Sequence, residues 1–524
     1  MSRLRAISRG TGLVTGGATF GPTLEPLFLS SDGFALLLKH KSPWFIRRDP
    51  STSTADPLLC LAIDANSAPY SRHHSLDYMS LEFSIIASSS LLQAHQGLLK
   101  AGLLLKPTSI PAEGLFTAPV WSVVENNVAQ KIVNQTSVVT FAEQLKKYNL
   151  SASQIEISSW EKHLGDGTFD EVRFPNPAKM VEDLHKLGFK TSLLVTPFAD
   201  SQSAEYSKSL PYLTKSASSS GTKEAKVKSG RYGVVDFSNA SSVNWFTGRL
   251  KTLQSKTKID SFKFDGGEVA NFGADHLFAN KTVQELPNLI TSEYVKTCHL
   301  LGNSCDQFRA GFGTQALPLF LQLTVEPTAE GLKAVIPTAL SLSIGGYPFL
   351  VAQMSAKNLS HSTASEELYI RLLQATTFFP AMSIISSMPA LSPFLTNQTS
   401  SNLVNITRKY INLHAEHAPT LVALARRTVQ SGEPIVRPLW YGASFSTNSN
   451  AELINVNDQF MIGEDILVAP VVEVGQRSRT VHFPPGSSSS SSWIDQHGKS
   501  YNGGTKAVVQ APLEELPYFT RRQL

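Results

Sequence analysis

The ten residues IDSFKFDGGE, numbered 259 to 268, decide the fold of this chain. Ile259, Phe262 and Phe264 form a short β-forming run that stops at an acidic residue and two glycines. The pattern predicts a buried strand that carries Asp265 at its carboxyl end, followed by backbone able to adopt a positive φ. In a parallel barrel the loops leaving the carboxyl ends of the strands form the catalytic face. Asp265 is therefore a candidate nucleophile, although an ordinary turn aspartate would produce the same pattern.

On both sides of this stretch, β-type runs alternate with helix-type stretches from about Ala118 to Thr420. The predicted strands include Gln154–Ile157, Phe189–Phe198, Tyr232–Asp236, Ile259–Asp265, Gln307–Phe312 and Tyr347–Val351. The predicted helices include Pro177–Leu187, Ser241–Leu253, Pro287–Leu301, Leu332–Leu342 and Glu366–Phe378. This alternation predicts an α/β protein built on a (β/α)8 TIM barrel, because consecutive parallel strands need helical crossovers.

The two flanks differ from this central region. Residues 30–92 contain β-rich pieces without a clear long helix, and short strands separated by turn residues follow Gly432. We predict three units: residues 1–115 as an incomplete β-sandwich-like segment, residues 116–430 as the catalytic barrel, and residues 431–524 as a carboxyl-terminal β-sandwich. The serine tract Ser487–Ser492 is expected to form an exposed flexible loop.

The composition limits the kinds of partner that this protein is expected to bind. The chain has 524 residues, 42% of them hydrophobic and 17% charged, with a formal net charge of +4. This length and content allow one large core and smaller ones, but the charge is too weak to indicate a nucleic-acid or membrane partner. No stretch reaches the roughly 18 apolar residues of a membrane span. Three cysteines make neither a disulfide framework nor a zinc site, so buried or unpaired thiols are expected.

The compartment is suggested by glycosylation triplets. The pattern Asn-x-Ser/Thr occurs at Asn134, Asn149, Asn239, Asn280, Asn358, Asn397 and Asn405. The first 17 residues lack the apolar segment of a signal peptide. We therefore expect a luminal or extracellular protein whose targeting segment is missing from this sequence, while chance triplets in a serine-rich chain are the alternative.

Several segments, including FKFDGGE, resemble glycoside hydrolase family 31 in order and spacing. The others are Gly165–Lys190, Val234–Phe246, Gly331–Leu350, Glu367–Met382, Glu433–Tyr441 and Asp458–Gly475. The resemblance implies a retaining α-glycosidase that acts on a carbohydrate or glycoside without metal or organic cofactor. In such enzymes one carboxylate attacks the anomeric carbon and a second protonates the leaving oxygen.

Individual site residues follow from the resemblance. Asp265 matches the attacking position, and Glu268 is expected to support it electrostatically or to be a solvated or capping glutamate. Arg309 is expected to hold a carboxylate or a substrate oxygen, or to be an ordinary ion-pairing arginine. Asp236 ends its strand as Asp265 does, and is expected to line the open face of the barrel.

The sequence departs from the family at positions that would hold a sugar. Ser158 and Ser159 stand where the family has an acidic pair, and a serine hydroxyl offers a weaker hydrogen bond to a sugar than a carboxylate. Leu194 and Thr196 replace a tryptophan and a histidine, and Gln353 is the nearest match to a further family aspartate.

The acid/base position differs as well. The family's aspartate is absent from the stretch Leu323–Glu330, where Glu326 lies nearest and is the candidate acid/base. Two functions follow: an active retaining α-glycosidase, or an impaired relative that binds a carbohydrate or a protein partner. A fault in the gene model, with exons joined wrongly around residues 157–161 and 323–331, is a third explanation of the departures.

Overall fold

The computed structural model describes most of the chain in separate stretches. These are residues 4–6, 25–39, 45–48, 59–62, 81–124, 132–216, 221–222, 224–227, 230–268, 271, 276–279, 288–355, 363–387, 400–442, 448–486 and 491–522. Most of the Ser487–Ser492 tract lies outside the described residues, as do the triplet asparagines Asn280, Asn358 and Asn397.

Eight parallel strands form a closed barrel. They are β1 (Val120–Val124), β2 (Gln154–Ile157), β3 (Lys190–Val195), β4 (Ser261–Phe264), β5 (Gln307–Phe308), β6 (Phe320–Val325), β7 (Leu350–Ser355) and β8 (Ala381–Ser387). Each strand pairs with its neighbour in sequence, and β8 pairs with β1 to close the ring. The predicted fold class is confirmed.

Helices follow seven of the eight strands within the described residues. They are α1 (Gln135–Lys147), α2 (Pro177–Lys186), α3 (Ala240–Thr257), α4 (Asn288–His299), α5 (Ala329–Ile344), α6 (Thr363–Thr376) and α7 (Ser400–Ser431). Helix α2 starts as its sequence indicates, because Pro177 suits the first turn and the Asn176 side chain accepts a hydrogen bond from the Lys179 amide. Between β5 and β6, residues 309–319 form an irregular connection without a helix.

The prediction that Tyr232–Asp236 is one of the alternating barrel strands was wrong. The strand is Gly230–Val234, and it pairs antiparallel with Phe198–Asp200 and Glu224–Val227 in a small separate sheet. This sheet belongs to a long insertion between β3 and α3. The local β pattern identified a strand correctly, but such a pattern does not specify which strand will be its partner.

The amino-terminal segment forms a four-stranded antiparallel sheet beside the barrel. Its strands are Leu4–Ala6, Leu27–Ser30, Phe34–Leu38 and Phe83–Ala87, followed by the helix Leu91–Lys100. The sheet and helix share a buried apolar cluster with Ile344 of α5 and with Trp440. The following residues also reach the helix-free connection, where the Thr108 amide donates to the Ala316 carbonyl at 3.0 Å.

The carboxyl-terminal unit consists of two antiparallel sheets. The larger contains Val436–Arg437, Phe460–Ile462, Ile466–Val468, Tyr518–Arg522, Ser492–Asp495 and Ser500–Asn502, and the smaller contains Ser478–Phe483 and Thr505–Gln510. Phe483, Trp493 and Phe519 are buried together in its core.

Minor elements complete the described fold. Short strands pair Lys215–Ser216 with His276–Leu277 and Phe45–Arg48 with Leu59–Ala62, and a short helix spans Tyr206–Ser209. The 3-10 turns lie at Glu113–Phe116, Leu210–Tyr212, Leu439–Tyr441 and Asn448–Asn455. Among the helices of the described ranges, none combines the length and apolar character that crossing a bilayer requires.

Candidate active site

Asp265 lies immediately after β4 at the carboxyl end of the barrel, and its side chain is 20% exposed. Its amide donates to the Val195 carbonyl at 2.9 Å, which extends the pairing of β4 with β3 by one residue. The chain then turns at Gly266, where φ is +76°. The Gly266 amide donates to Asp265 Oδ1 at 2.7 Å. The turn thus holds a partly exposed carboxylate at the barrel mouth.

Gly266 is required at this turn for two reasons. A positive φ strains most side chains, and a Cβ at this position would lie 2.6 Å from the Phe198 ring. The neighbouring Tyr294 side chain donates to the Asp265 carbonyl at 3.0 Å. The main chain of the candidate nucleophile is therefore fixed from two directions.

Arg309, directly after β5, connects two carboxylates. Its Nη1 lies 3.3 Å from Asp265 Oδ1 and 3.2 Å from Asp265 Oδ2, and its Nε lies 3.1 Å from Glu268 Oε1. The negative charge of Asp265 is the main reason that the pKa of Arg309 is raised, against the opposing effect of burial. Glu268 and Glu326 raise the pKa of Arg309 further. The structure thus places Asp265 and Glu268 against one guanidinium, and Glu326 acts on it only through its charge.

Glu268 is less exposed than Asp265, with 13% of its side chain accessible to solvent. Burial raises its pKa, the charge of Asp265 raises it further, and Arg309 opposes both effects. Asn271 Nδ2 donates to Glu268 Oε2 at 3.0 Å. Glu268 is therefore held in place between Arg309 and Asn271, and its electrostatic support of Asp265 stays a prediction.

Glu326 follows β6 and is exposed. Its main-chain carbonyl accepts from the Thr328 amide at 2.8 Å, just before Thr328 caps α5. Within the described part of the chain, its carboxylate forms no hydrogen bond, so its connection with the cluster is the charge it presents to Arg309. An exposed carboxylate directly after β6 is compatible with proton transfer, and the role of Glu326 as acid/base stays a prediction.

The barrel interior beneath Asp265 contains a buried ion pair. Lys263, two residues before Asp265 on the same face of β4, donates to Glu156 Oε1 of β2 at 3.0 Å. The two side chains are 4% and 0% exposed. TIM-barrel interiors are usually filled by branched apolar side chains, so this pair is unusual.

Further polar side chains share this interior. Those buried on the barrel strands include Ser122, Gln154, Ser192, Ser261, Gln307, Gln322 and Ser383. Sequence reasoning missed Glu156 and Lys263. The signal was present, because Gln154/Glu156 and Ser261/Lys263 alternate with apolar residues in strands expected to be buried on both faces.

Ser158 and Ser159 lie at the end of β2. Ser158 Oγ donates to Glu156 Oε1 at 3.2 Å, which joins this predicted sugar contact to the ion pair below it. The Ser159 carbonyl accepts from Arg173 Nη1 at 2.7 Å. The replacement of the family's acidic pair therefore leaves Glu156 as the carboxylate nearest to these serines along β2.

Gln353 and Asp236, the other two predicted substrate contacts, form hydrogen bonds with other parts of the protein. Gln353 is buried on β7, where Gln322 Nε2 donates to its Oε1. The buried Asp236 carboxylate accepts from the Ser238 amide and hydroxyl at 3.0 and 2.6 Å, and from the Ala279 amide at 2.8 Å. These bonds fix the loop that connects the small separate sheet, which contains Gly230–Val234, to α3. The structure thus brings Asp265, Arg309 and Glu268 into contact and gives Asp236 a separate set of contacts, while Glu326 makes no direct contact with the first three among the described residues.

Comparisons with known proteins agree with this architecture. Residues 117–424 match the family model described as the glycosyl hydrolases family 31 TIM-barrel domain, and residues 432–523 match the family 31 C-terminal domain. The chain is 28% identical over 522 residues to the myogenesis-regulating glycosidase of Mus musculus, covering 96% of this chain and 69% of that protein. It is 25% identical to the SITS-binding protein of Tetronarce californica, with the same coverages.

A solved structure supports the fold. The α-xylosidase of family 31 from a soil metagenome, complexed with xylose, superposes with a TM-score of 0.75 at 19% identity, covering 100% of this chain and 75% of that one. At this identity the likeness concerns the fold alone. The family model spans more than half of the chain, and its barrel carries the acidic cluster described above at the mouth. This protein therefore belongs to glycosyl hydrolase family 31.

Proposed function

We propose that this glycoside hydrolase is a retaining α-glycosidase in which Asp265 is the nucleophile. The observation that carries the proposal is the partly exposed Asp265 carboxylate, fixed at the barrel mouth by Arg309 and by the Gly266 amide. A carboxylate held in this way is oriented before a substrate arrives, which reduces the entropic cost of attack.

The reaction proceeds in two displacements. Asp265 attacks the anomeric carbon, the bond from that carbon to the leaving oxygen breaks, and the acid donates its proton to that oxygen. Water then attacks the same carbon, the ester bond to Asp265 breaks, and the second carboxyl group accepts a proton from the water. We assign the proton transfers to Glu326, which presents its charge to Arg309 from the end of β6.

The first experiment tests the nucleophile. The dinitrophenolate group of a dinitrophenyl α-glycoside leaves without protonation. With the α-glycosides of glucose, galactose and xylose, the wild-type chain is therefore expected to release a burst of dinitrophenol from at least one of them. Intact-mass measurement during the burst is expected to show one added glycosyl group. Asp265→Asn is expected to abolish both signals, and a persistent adduct in this variant would contradict the assignment.

A second experiment separates the acid from the nucleophile. Glu326→Gln is expected to lower turnover of methyl α-glycosides by about 10²- to 10⁴-fold, the usual contribution of general acid–base catalysis, and to leave the dinitrophenol burst intact. Glu330→Gln, at an exposed acid in the first turn of α5, is the matched control and is expected to change neither rate. Equal activities of the Glu326 variant and wild type on methyl glycosides would exclude Glu326 as acid.

The alternative is a relative that binds carbohydrate without turnover. Ser158 favours it, since its hydroxyl is committed to Glu156 where the family offers a carboxylate to the sugar. For such a protein no burst is expected with any aryl glycoside. Asp265→Asn is then expected to bind the same monosaccharides with an unchanged dissociation constant in calorimetry.

For the compartment, we propose the secretory lumen or the extracellular space. Support comes from Asn149, which is exposed two residues after the end of α1 with φ of +51° and is followed by an exposed Ser151. When the protein is isolated from its native cells, removal of N-linked glycans is expected to lower its apparent mass, and Asn149→Gln is expected to remove one glycan. Asn405→Gln is the control, because the Asn405 amide oxygen accepts from Arg408 on α7 and Thr407 is buried.

A further inference from the structure

Glu25 is a buried carboxyl of the amino-terminal segment that lies outside the Asp265 cluster. It is 4% exposed, and its Oε1 accepts from the Tyr347 hydroxyl at 2.6 Å and from the Gly313 amide at 2.8 Å. Burial raises the pKa of Glu25 to about 7, although the hydrogen bonds from Tyr347, Gly313 and Gln315 oppose this rise. A costly buried group with specific partners indicates a role beyond filling space.

Its partner Gly313 lies four residues after Arg309 in the helix-free connection between β5 and β6. The intervening residues are tightly packed, with Ala310 2% and Phe312 3% exposed. Gly311 lies against the Tyr347 ring, where an added Cβ would approach Tyr347 Cε1 at 3.0 Å. Gly313 and Arg309 are therefore joined by three packed residues.

We propose that Glu25 is a positioning residue for Arg309, which it reaches through its hydrogen bonds to Gly313 and Tyr347. The amino-terminal sheet thereby takes part in setting the geometry of the barrel mouth. The effect on catalysis rests on the proposed function, whereas the effect on Arg309 does not.

The charges around both ends of this connection define the expected pH response. Among the described residues, Tyr347 is the titratable group that contacts the Glu25 carboxyl, and its pKa is raised well above the ordinary range by burial, with a further contribution from the Glu25 charge. At the other end, Arg309 faces Asp265, Glu268 and Glu326. When Glu25 ionises, its two hydrogen bonds become charge-assisted and hold the connection more firmly.

The test measures modification of Arg309 by phenylglyoxal, quantified by peptide mass spectrometry relative to Arg426 of the same molecule. Arg426 lies on α7 with 63% of its side chain exposed, and serves as the internal reference for the reagent's own pH dependence. In wild type the ratio of Arg309 to Arg426 modification is expected to fall roughly threefold from about pH 6 to about pH 8, as the bonds to Glu25 become about twice as strong. In Glu25→Gln, which keeps the acceptor without a titration, the ratio is expected to stay constant.

Two further variants separate positioning from general loosening. Tyr347→Phe removes one donor to Glu25 and is expected to raise the ratio at about pH 8, above the pKa of Glu25 near 7. Glu367→Gln is the matched control, because Glu367 is a buried acid that binds the Gly475 amide and Arg477 at the contact with the carboxyl-terminal unit. It is expected to leave the ratio and its pH dependence as in wild type.

The proposal is overturned if folded Glu25→Gln keeps the wild-type pH dependence, or if Glu367→Gln changes the ratio equally. The burst rate with a dinitrophenyl glycoside supplies the catalytic arm, in which Glu25→Gln is expected to remove a titration near pH 7 from the wild-type profile. Absence of any burst in wild type would count against the proposed function, while the arginine ratio would still decide the positioning role.

Discussion

Replacing Lys263 with methionine isolates the energetic role of the ion pair beneath Asp265. In the folded protein Lys263 and Glu156 meet at 3.0 Å with 4% and 0% of their side chains exposed. Lys263→Met leaves the buried Glu156 carboxylate with the Ser158 hydroxyl as its hydrogen-bond donor. Removing one partner of a buried pair costs about 3 to 5 kcal/mol, because the remaining charge is neither hydrated nor neutralised.

The companion variant Lys263→Met/Glu156→Gln removes both charges. Since an apolar or neutral replacement of a complete buried pair is often close to neutral, it is expected to recover at least about 2 kcal/mol of the loss. Urea denaturation followed by circular dichroism gives the free energies, and a double-mutant cycle gives the coupling energy. The exposed pair Glu182 and Lys186 on α2 is the control, and Lys186→Met is expected to produce no resolvable change. A loss below about 1 kcal/mol in Lys263→Met would refute the reasoning, since it would mean that the buried Glu156 side chain does not depend on Lys263 for its stability.

Three further predictions concern other parts of the molecule. Burial lowers the pKa of His414 to about 4, so below about pH 6.5 the unfolded chain binds a proton that the folded chain does not bind. As pH falls from 6.5 to 4, the free energy of unfolding of wild type is expected to fall by up to about 3 kcal/mol relative to that of His414→Gln, as measured by urea denaturation. In Gly266→Ala the new Cβ would lie 2.6 Å from the Phe198 ring at a residue with φ of +76°. The variant is expected to slow the dinitrophenol burst by at least roughly tenfold and to lower the melting temperature by a few degrees, whereas an unchanged burst would show that the turn does not orient Asp265. Arg309→Met leaves two adjacent carboxylates without their shared cation, so titration of Glu268 followed by carboxylate infrared bands is expected to move to higher pH, and an unmoved band would contradict the bridging role.

Much of the barrel followed from the sequence because its local patterns were consistent with the final packing. The run ending at Phe264, the proline-initiated helix at Pro177 and the alternating strand and helix periods all reflect interactions within short segments. The same is true of the turn after Asp265, where two glycines follow a strand. These features depend on residues that are close in the sequence, so short stretches of the sequence are sufficient to predict them.

The features that escaped prediction depend on distant partners. The strand Gly230–Val234 has the same local pattern as a barrel strand, but antiparallel pairing with Phe198–Asp200 places it in the insertion. The Glu156–Lys263 pair was missed although the alternation of polar and apolar residues was visible in each strand, because the two partners lie 107 residues apart in the chain. The contacts of Asp236 were likewise invisible, because Ala279 lies 43 residues away in the chain.

The missing helix between β5 and β6 has a consequence for the modularity of this protein. The amino-terminal segment contacts this connection through the hydrogen bonds of Glu25 and Thr108, and its sheet and helix share an apolar cluster with Ile344 of α5. A shortened chain starting at residue 116 would expose this side of the barrel to water and release the connection that carries Arg309. The unit that positions Arg309 is thus physically larger than the (β/α)8 motif, because it includes the amino-terminal residues that bind this connection.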